Sequence, residues 1–161
     1  YASERNPAQH QRLGEAERKQ DDLLNAILNM NNPILKKLAL FSALTLPLSY
    51  ILGVIARSLW YNPRPFVVKG IEPLIAHIPD NGFPSDHTLL LATLASIAYY
   101  FDKKYSAALW VVTILVGLSR VFAQVHHLVD ILASMVIALV SAKIAYAIIH
   151  PLWNKQKQTN F

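Results

Sequence analysis

Four long runs of apolar residues, almost free of charge, constrain this chain more than any other feature of its sequence. They are residues 38–56, 89–101, 106–118 and 131–149. Over the whole chain 53% of the residues are hydrophobic and 16% are charged, whereas a soluble domain averages about 25% charged residues. Runs that approach the ~20 apolar residues needed to cross a bilayer favour transmembrane helices. The sequence therefore predicts an all-α integral membrane protein, folded as a polytopic bundle of transmembrane helices.

Residues 1–32 differ from the rest of the chain because they are crowded with charge. Leucine and isoleucine residues between Leu13 and Leu28 are interspersed among these charges, a pattern typical of an amphipathic helix at a membrane surface. The pattern breaks at Pro33. We therefore divide the chain into a polar amphipathic or cytoplasmic segment, 1–32, and a membrane core, 33–161.

Four membrane crossings are predicted in the core, at about 34–61, 86–101, 106–121 and 127–149. The residues 66–84 contain two glycines and three prolines and are expected to form an irregular loop. Because successive crossings run in opposite directions, the polar clusters at 57–65, 84–87 and 119–130 all fall on one side of the membrane.

Lysines collect on the other side of the membrane, at Lys36, Lys37, Lys103, Lys104, Lys155 and Lys157. By the positive-inside rule the lysine-rich side is cytoplasmic. The three polar clusters are therefore expected to face outward.

The stretch from Ser119 to Asp130 lies between the last two predicted crossings and carries the most informative polar residues. Charged groups at such a place are costly, so a functional site is the default hypothesis. His126 and Asp130 are four residues apart on one helix face, so the carboxylate can fix the ring tautomer and leave the other nitrogen as nucleophile or base. Arg120 supplies a permanent cation whose planar fork suits phosphate oxygens. The alternative is a histidine and an aspartate that only cap a helix near the headgroups.

Arg57 and Arg64 lie at the end of the first predicted crossing, on the same side as Arg120. Two arginines near a membrane surface can simply extend to the headgroups. Three guanidinium groups around one spot, however, repel each other unless an anion lies between them. Fixed donors around a dianion also promote phosphoryl transfer without a metal.

The segment Pro84-Ser85-Asp86-His87 opens the second predicted crossing. Ser85 is an ordinary helix N-cap residue, and a helix start also offers free N–H groups to a phosphate. His87 is expected to face the same pocket as His126, and two histidines suit a reaction in which one attacks phosphorus and the other protonates the leaving oxygen. A zinc site is the alternative, but the arginines would repel a cation and the chain has no cysteine. We therefore predict neither a metal nor a cofactor.

The motifs at 57–65, 84–87 and 119–130, taken together and in this order, resemble the three signature motifs of the type 2 phosphatidic acid phosphatase superfamily. That superfamily also includes the vanadium haloperoxidases, which are soluble and therefore a poor match to this apolar chain. The resemblance implies a helical membrane enzyme that removes phosphate from lipid phosphates or diphosphates without a metal. The superfamily normally has six crossings, and the four predicted here match the last four, so two more are expected to precede this chain.

Motif position implies a role for each candidate residue. His126 is expected to be the nucleophile that becomes phosphorylated, Asp130 its orienting partner, and His87 the acid for the leaving group. Phosphate binding is expected of Arg57, Arg64, Ser85 and Arg120, together with a backbone N–H at Asp86.

Two positions depart from the commonest form of the motifs. Arg57 stands where the superfamily usually has lysine, which keeps the charge but changes the donor geometry. Asp86 replaces the usual glycine and places a carboxylate close to the phosphate.

The sequences Phe-Pro-Ser-Asp-His-Thr and Asn-Pro-Arg-Pro-Phe look most like those of the bacterial undecaprenyl-diphosphate phosphatases linked to bacitracin resistance. The resemblance implies an enzyme of the bacterial cytoplasmic membrane that recycles the lipid carrier of cell-wall synthesis through a phosphohistidine, at an outward-facing site. The alternatives are a phosphatase for phosphatidylglycerol phosphate, phosphatidic acid or lipid A phosphate, and a non-catalytic lipid-phosphate binder or transporter. The net charge of +5 is scattered over an apolar chain, so no nucleic-acid partner is expected. The oligomeric state is left open.

Overall fold

The computed structural model describes residues 14–15, 18–19 and 33–158 of the chain. The amphipathic helix predicted in 1–32 lies outside the described residues, except that the two short described pieces are helical. The chain divides into two compact units after Lys37, and the site discussed below lies wholly in the second unit.

The described residues from 33 onward form five α-helices and no strand. These are α1 (Pro33–Leu59), α2 (Pro65–Lys69), α3 (Asp86–Tyr99), α4 (Lys103–Phe122) and α5 (Leu128–Gln158). One isolated antiparallel bridge joins Pro63 to Asn81. The prediction of an all-α helical bundle is confirmed.

Three of the helices, α1, α4 and α5, are long and apolar enough to cross a membrane, judged by length and composition. They correspond to the first, third and fourth predicted crossings. The second predicted crossing is α3, which has 14 residues and a length of about 21 Å, less than the ~30 Å of a bilayer core. Half of the α3 residues are buried, and α3 is shorter than α1, α4 and α5.

Several predicted helix ends differ from those in the structure. Helix α4 begins earlier than predicted because the Asp102 carboxylate accepts the N–H groups of Lys104 and Tyr105 at 2.7 and 3.3 Å and caps the first turn. Helix α5 does not stop before Pro151 but continues to Gln158. A proline removes one backbone hydrogen bond, and the bonds on either side of it suffice to continue the helix. The predicted loop 66–84 begins with the short helix α2.

Hydroxyl groups link α3 to its neighbours. The hydroxyls of Ser49 in α1 and Thr93 in α3 lie 2.7 Å apart. Ser106 in α4 donates to the backbone oxygen of Ala95 in α3 at 2.8 Å. Small polar residues of this kind let membrane helices approach closely and bond to each other.

Helices α4 and α5 meet closely at Gly117, where a Cβ would lie 2.6 Å from Cγ2 of Ile131. At the opposite end of the bundle, aromatic rings pack around Phe41, whose centroid is 5.1 Å from that of Tyr100 and 6.1 Å from that of Trp153. The bundle therefore has an aromatic end and an end that carries the three motifs.

Candidate active site

Three chain segments converge at the motif end of the bundle: the turn after α1, the start of α3, and the turn between α4 and α5. Backbone hydrogen bonds join them directly. The N–H of Phe66 donates to the oxygen of Gln124 at 3.0 Å, and the N–H of Ser85 donates to the oxygen of Asp130 at 3.4 Å. The structure thus brings the three sequence motifs together.

His126 is only 3% exposed, and its two ring nitrogens have partners of opposite kinds. Nδ1 lies 2.8 Å from the backbone oxygen of Gly82; because a carbonyl can only accept, Nδ1 carries the hydrogen. Nε2 lies 3.3 Å from Nη1 of Arg64; because a guanidinium can only donate, Nε2 presents its lone pair. These two partners fit the Nδ1–H tautomer of His126, in which the lone pair is on Nε2, the atom that a nucleophilic imidazole uses.

Asp130 is fully buried beside the same ring, but it is not the nearest acceptor of the ring. Its Oδ2 is 3.5 Å from Nδ1 of His126 and accepts the backbone N–H of His127 at 2.8 Å. Its Oδ1 accepts the side-chain amide of Asn62 at 2.7 Å. The sequence predicted a direct bond from the ring to this carboxylate, whereas in the structure the shorter bond goes to Gly82. The carboxylate charge nonetheless favours a proton on Nδ1 and stabilises the positive charge that the ring gains on attack.

Sequence reasoning missed Asn62 and Gly82, which complete the surroundings of the histidine and the aspartate. A Cβ on Gly82 would lie 3.3 Å from Cγ of Arg64 and 3.4 Å from Oδ2 of Asp130, so a glycine lets the loop pass this close. Asn81 holds the same loop, because its Oδ1 accepts the backbone N–H of Asn62 at 3.0 Å. A backbone carbonyl leaves no side-chain signal in a sequence, and the signal for Asn62 is its place within the first motif, in Asn-Pro-Arg-Pro-Phe.

Arg64 is buried and its donors are held in place by the protein. Nε donates to Oδ1 of Asp80 at 2.7 Å, and Nη1 donates to the backbone oxygen of Val125 at 2.8 Å. Burial acts to raise the pKa of Asp80, but the hydrogen bond and the charge of Arg64 outweigh it, and the pKa of Asp80 is lowered. Asp80 is therefore an ionised carboxylate at neutral pH, and it orients the guanidinium toward His126.

Arg57 and Asp86, the two positions that depart from the commonest motif form, are paired with each other. Nη2 of Arg57 lies 2.5 Å from Oδ1 of Asp86, and the guanidinium also donates to the backbone oxygens of Phe83 and Pro84. A guanidinium has five N–H donors, so some remain for a ligand. In the part of the chain that the structure describes, the guanidinium of Arg120 makes no hydrogen bond to protein, so its donors are open.

Ser85 occupies the N-cap position of α3, as predicted, but its side chain makes no cap hydrogen bond. Its Oγ accepts from Oγ1 of Thr88 at 3.1 Å, which leaves its own hydrogen able to donate. The first N–H groups of α3 have no acceptor within the helix and lie at the positive end of the helix dipole. Burial, then the positive charge of Arg120, and then His126 lower the pKa of His87 in the same turn. The start of α3 therefore offers donors to an anion beside the histidines.

Two cavities differ in their relation to this site. The larger, of about 460 Å³, lies at the aromatic end of the bundle and is lined by no motif residue. The smaller, of about 130 Å³, is a largely apolar groove between α1 and α3 that reaches Asp86. Its other lining residues are Leu46, Ser49, Tyr50, Leu89, Leu90 and Thr93.

The fold and the site define a class of protein: a multi-pass helical membrane protein that gathers arginines, histidines and the first N–H groups of a helix at one end. The family follows from comparison with known proteins. Residues 38–154, most of the chain, match the family model described as PAP2 superfamily. The chain belongs to the PAP2 superfamily of lipid phosphatases, as the motifs predicted.

Three curated relatives share part of their length with this chain. The bacitracin transport permease protein BcrC of Bacillus licheniformis is 33% identical over 106 residues, which are 65% of this chain and 52% of the relative. The undecaprenyl-diphosphatase BcrC of Bacillus subtilis (strain 168) is 30% identical over 118 residues, 73% of this chain and 61% of the relative. The putative undecaprenyl-diphosphatase YbjG of Escherichia coli (strain K12) is 26% identical over 132 residues, 81% of this chain and 65% of the relative. The chain thus spans about half to two thirds of the length of these relatives.

A solved structure supports the fold. The crystal structure of Aquifex aeolicus LpxE is similar to this chain with a TM-score of 0.63 and 21% sequence identity. The likeness covers 89% of this chain and 88% of that chain. At this identity it shows a shared helical membrane fold.

The geometry around Asp130 generates a first prediction. Both carboxylate oxygens of Asp130 accept a hydrogen bond. In Asp130→Asn the new NH₂ group therefore faces another donor, either the side-chain amide of Asn62 or the N–H of His127. The substitution also removes the negative charge beside the ring of His126. We expect kcat for a lipid phosphate to fall by about 100-fold or more while the protein remains folded. Phosphate release and thermal unfolding, measured on the same preparation, check both parts.

His127→Ala is the matched control. Among the described residues, the side chain of His127 bonds only to the backbone oxygen of Pro63, at 3.0 Å. Its loss is therefore expected to cost about 1 kcal/mol of stability and to leave kcat close to that of wild type. A loss of kcat in His127→Ala as large as in Asp130→Asn would contradict the prediction that Asp130 is needed for catalysis and the side chain of His127 is not.

Proposed function

We propose that this chain is the catalytic core of a phosphatase that hydrolyses the terminal phosphate of undecaprenyl diphosphate, so that the monophosphate carrier used in cell-wall synthesis is regenerated. The observation that carries the proposal is the position of Nε2 of His126, which lies 3.3 Å from Nη1 of the buried Arg64 guanidinium. A phosphate oxygen bound by that guanidinium brings its phosphorus within reach of the nitrogen.

The first step forms one bond and breaks another. Nε2 of His126 attacks the terminal phosphorus, and the bond from phosphorus to the bridging oxygen breaks. His87 donates its proton to that oxygen, and the lipid monophosphate leaves. The phosphoryl group stays on His126 as a phosphohistidine.

The second step releases the phosphate. Water attacks the phosphohistidine, His87 accepts the water proton, and inorganic phosphate leaves while the neutral His126 is restored. Asp130 and the backbone oxygen of Gly82 keep the hydrogen on Nδ1 through both steps.

The charge that develops on the phosphoryl oxygens is stabilised by fixed donors. These are the guanidinium groups of Arg57, Arg64 and Arg120, the hydroxyl of Ser85 and the first N–H groups of α3. Donors that are already oriented accelerate phosphoryl transfer without a metal ion. Among the residues that the structure describes, no group of three His, Cys, Asp or Glu side chains is placed to hold a metal ion.

Two further observations support a long lipid as the substrate. The apolar groove between α1 and α3 opens beside Asp86 at the phosphate site, so an acyl or prenyl chain can lie between the helices while its headgroup reaches His126. Two curated relatives carry names that state an activity on undecaprenyl diphosphate.

A panel of substrates tests the function. We expect undecaprenyl diphosphate to give the highest kcat/KM when compared with phosphatidic acid, phosphatidylglycerol phosphate and a lipid A phosphate, measured as release of inorganic phosphate. Activity is expected to persist in EDTA and to be inhibited by vanadate, because arginines and not a metal ion neutralise the phosphate.

His126→Ala serves as the inactive control in that panel. A higher kcat/KM for another lipid of the panel would mean that this lipid, and not undecaprenyl diphosphate, is the substrate. Absence of hydrolysis for every lipid would favour a binder or transporter. Loss of activity in EDTA, restored by one divalent cation, would contradict the arginine account.

The orientation of the protein is also part of the proposal. The lysine-rich side is placed in the cytoplasm of a bacterial cell and the motif end at the outer face of the inner membrane. In intact cells or spheroplasts, a cysteine at Glu72 is expected to react with an impermeant thiol reagent. A cysteine at Lys104 is expected to react only after lysis. The reverse pattern would mean that the site faces the cytoplasm.

A further inference from the structure

The loop before α3 places a third histidine, His77, beside the proposed nucleophile, although His77 belongs to none of the three motifs. The ring centroids of His77 and His126 are 6.4 Å apart and the ring planes cross at 76°. His77 is half-buried, while its neighbours Ala76 and Ile78 are exposed.

The loop is anchored on both sides of His77. On one side the N–H of Leu74 donates to the backbone oxygen of Ala123, in the turn after α4, at 3.3 Å. On the other side Asp80 accepts from the guanidinium of Arg64 at 2.7 Å. Two attachments six positions apart hold the imidazole against the site.

The hydrogen bond of His77 identifies which nitrogen is available. Nδ1 lies 2.9 Å from the backbone oxygen of Ala76, and because a carbonyl can only accept, Nδ1 carries a hydrogen. Nε2 therefore holds a lone pair in the neutral ring and is the atom that can gain a proton.

The charges that face His77 come from every segment around it. Burial and then the positive charge of Arg64 lower the pKa of His77, with smaller contributions in the same direction from His126 and Arg120, while the bond to Ala76 acts to raise it. The neutral ring of His77 is therefore favoured at pH 7 before a phosphate binds. The two nearby carboxylates, Asp80 and Asp130, are engaged by a guanidinium and by amide groups respectively.

We infer that His77 contacts the substrate phosphate. As the phosphate binds, His77 takes up a proton from solvent at Nε2, and this N–H donates a hydrogen bond to a phosphate oxygen while the ring stays protonated. The inference rests on the proposed function. A bound phosphate dianion offsets the arginine charges, and an opposite charge at ~4–6 Å favours the protonated ring. His126 has to stay neutral in order to attack, and His87 has to give its proton away. Unlike His126 and His87, His77 is not required by the proposed reaction to be neutral or to give up a proton.

Vanadate binding, followed by calorimetry near pH 7 in buffers of different ionisation enthalpy, tests the inference on the full chain. Asparagine can bond to a phosphate but cannot gain a proton. We expect His77→Asn to take up fewer protons than wild type on binding vanadate, and its Kd to rise by about 10-fold, the effect of one lost charge-assisted hydrogen bond.

His150→Asn, at the far end of α5, is the matched histidine control and is expected to equal wild type in both quantities. His77→Gln provides a second variant with a longer amide side chain, so that the test can still be made if His77→Asn does not fold. Equal proton uptake and equal Kd in wild type and the folded His77 variants overturn the inference. If lipid phosphates are hydrolysed in that case, the proposed function stands without it; if wild type neither hydrolyses them nor binds vanadate, both fail.

Discussion

The site depends on the buried imidazole of His126, which lies between a group that can only accept a hydrogen bond and a group that can only donate one. The carbonyl of Gly82 fixes the hydrogen on Nδ1 of His126, and the guanidinium of Arg64 faces the lone pair on Nε2. Neither partner can change its role with pH, because a carbonyl does not donate and a guanidinium stays charged. The tautomer and the direction of attack are thus set by groups that do not titrate.

Each of these partners is held in turn by the polar segment that connects α1 to α3. Asp80 accepts a hydrogen bond from Arg64 and orients it. The side-chain amide of Asn62 donates to Oδ1 of Asp130. The N–H of Gly82 donates to the backbone oxygen of Asn62 at 2.9 Å. Most of these groups are shielded from water, where a hydrogen bond is stronger and an unpaired polar group is costly. The loop has an irregular backbone, but these hydrogen bonds fix its conformation, and it rests on the packed helices.

Much of this was predictable from the sequence, because the apolar runs and the three motifs are strong local signals. The helical bundle and its family are confirmed by the structure and the comparisons, while the roles of the individual site residues remain predictions. What the sequence left out depends on tertiary contact: half of the residues of the short α3 are buried, and the nearest acceptor of His126 is a backbone oxygen. The pairing of Arg57 with Asp86 was likewise invisible, since 29 residues separate them.

The central claim is that Nε2 of His126 forms a covalent bond to the phosphoryl group. Rapid acid-free quenching of a reaction with phosphate-labelled undecaprenyl diphosphate, followed by detection of acid-labile phosphohistidine, tests it directly. The account predicts a phosphohistidine in wild type and in His127→Ala, and none in His126→Ala. A phosphohistidine that persists in His126→Ala would contradict the assignment of the nucleophile.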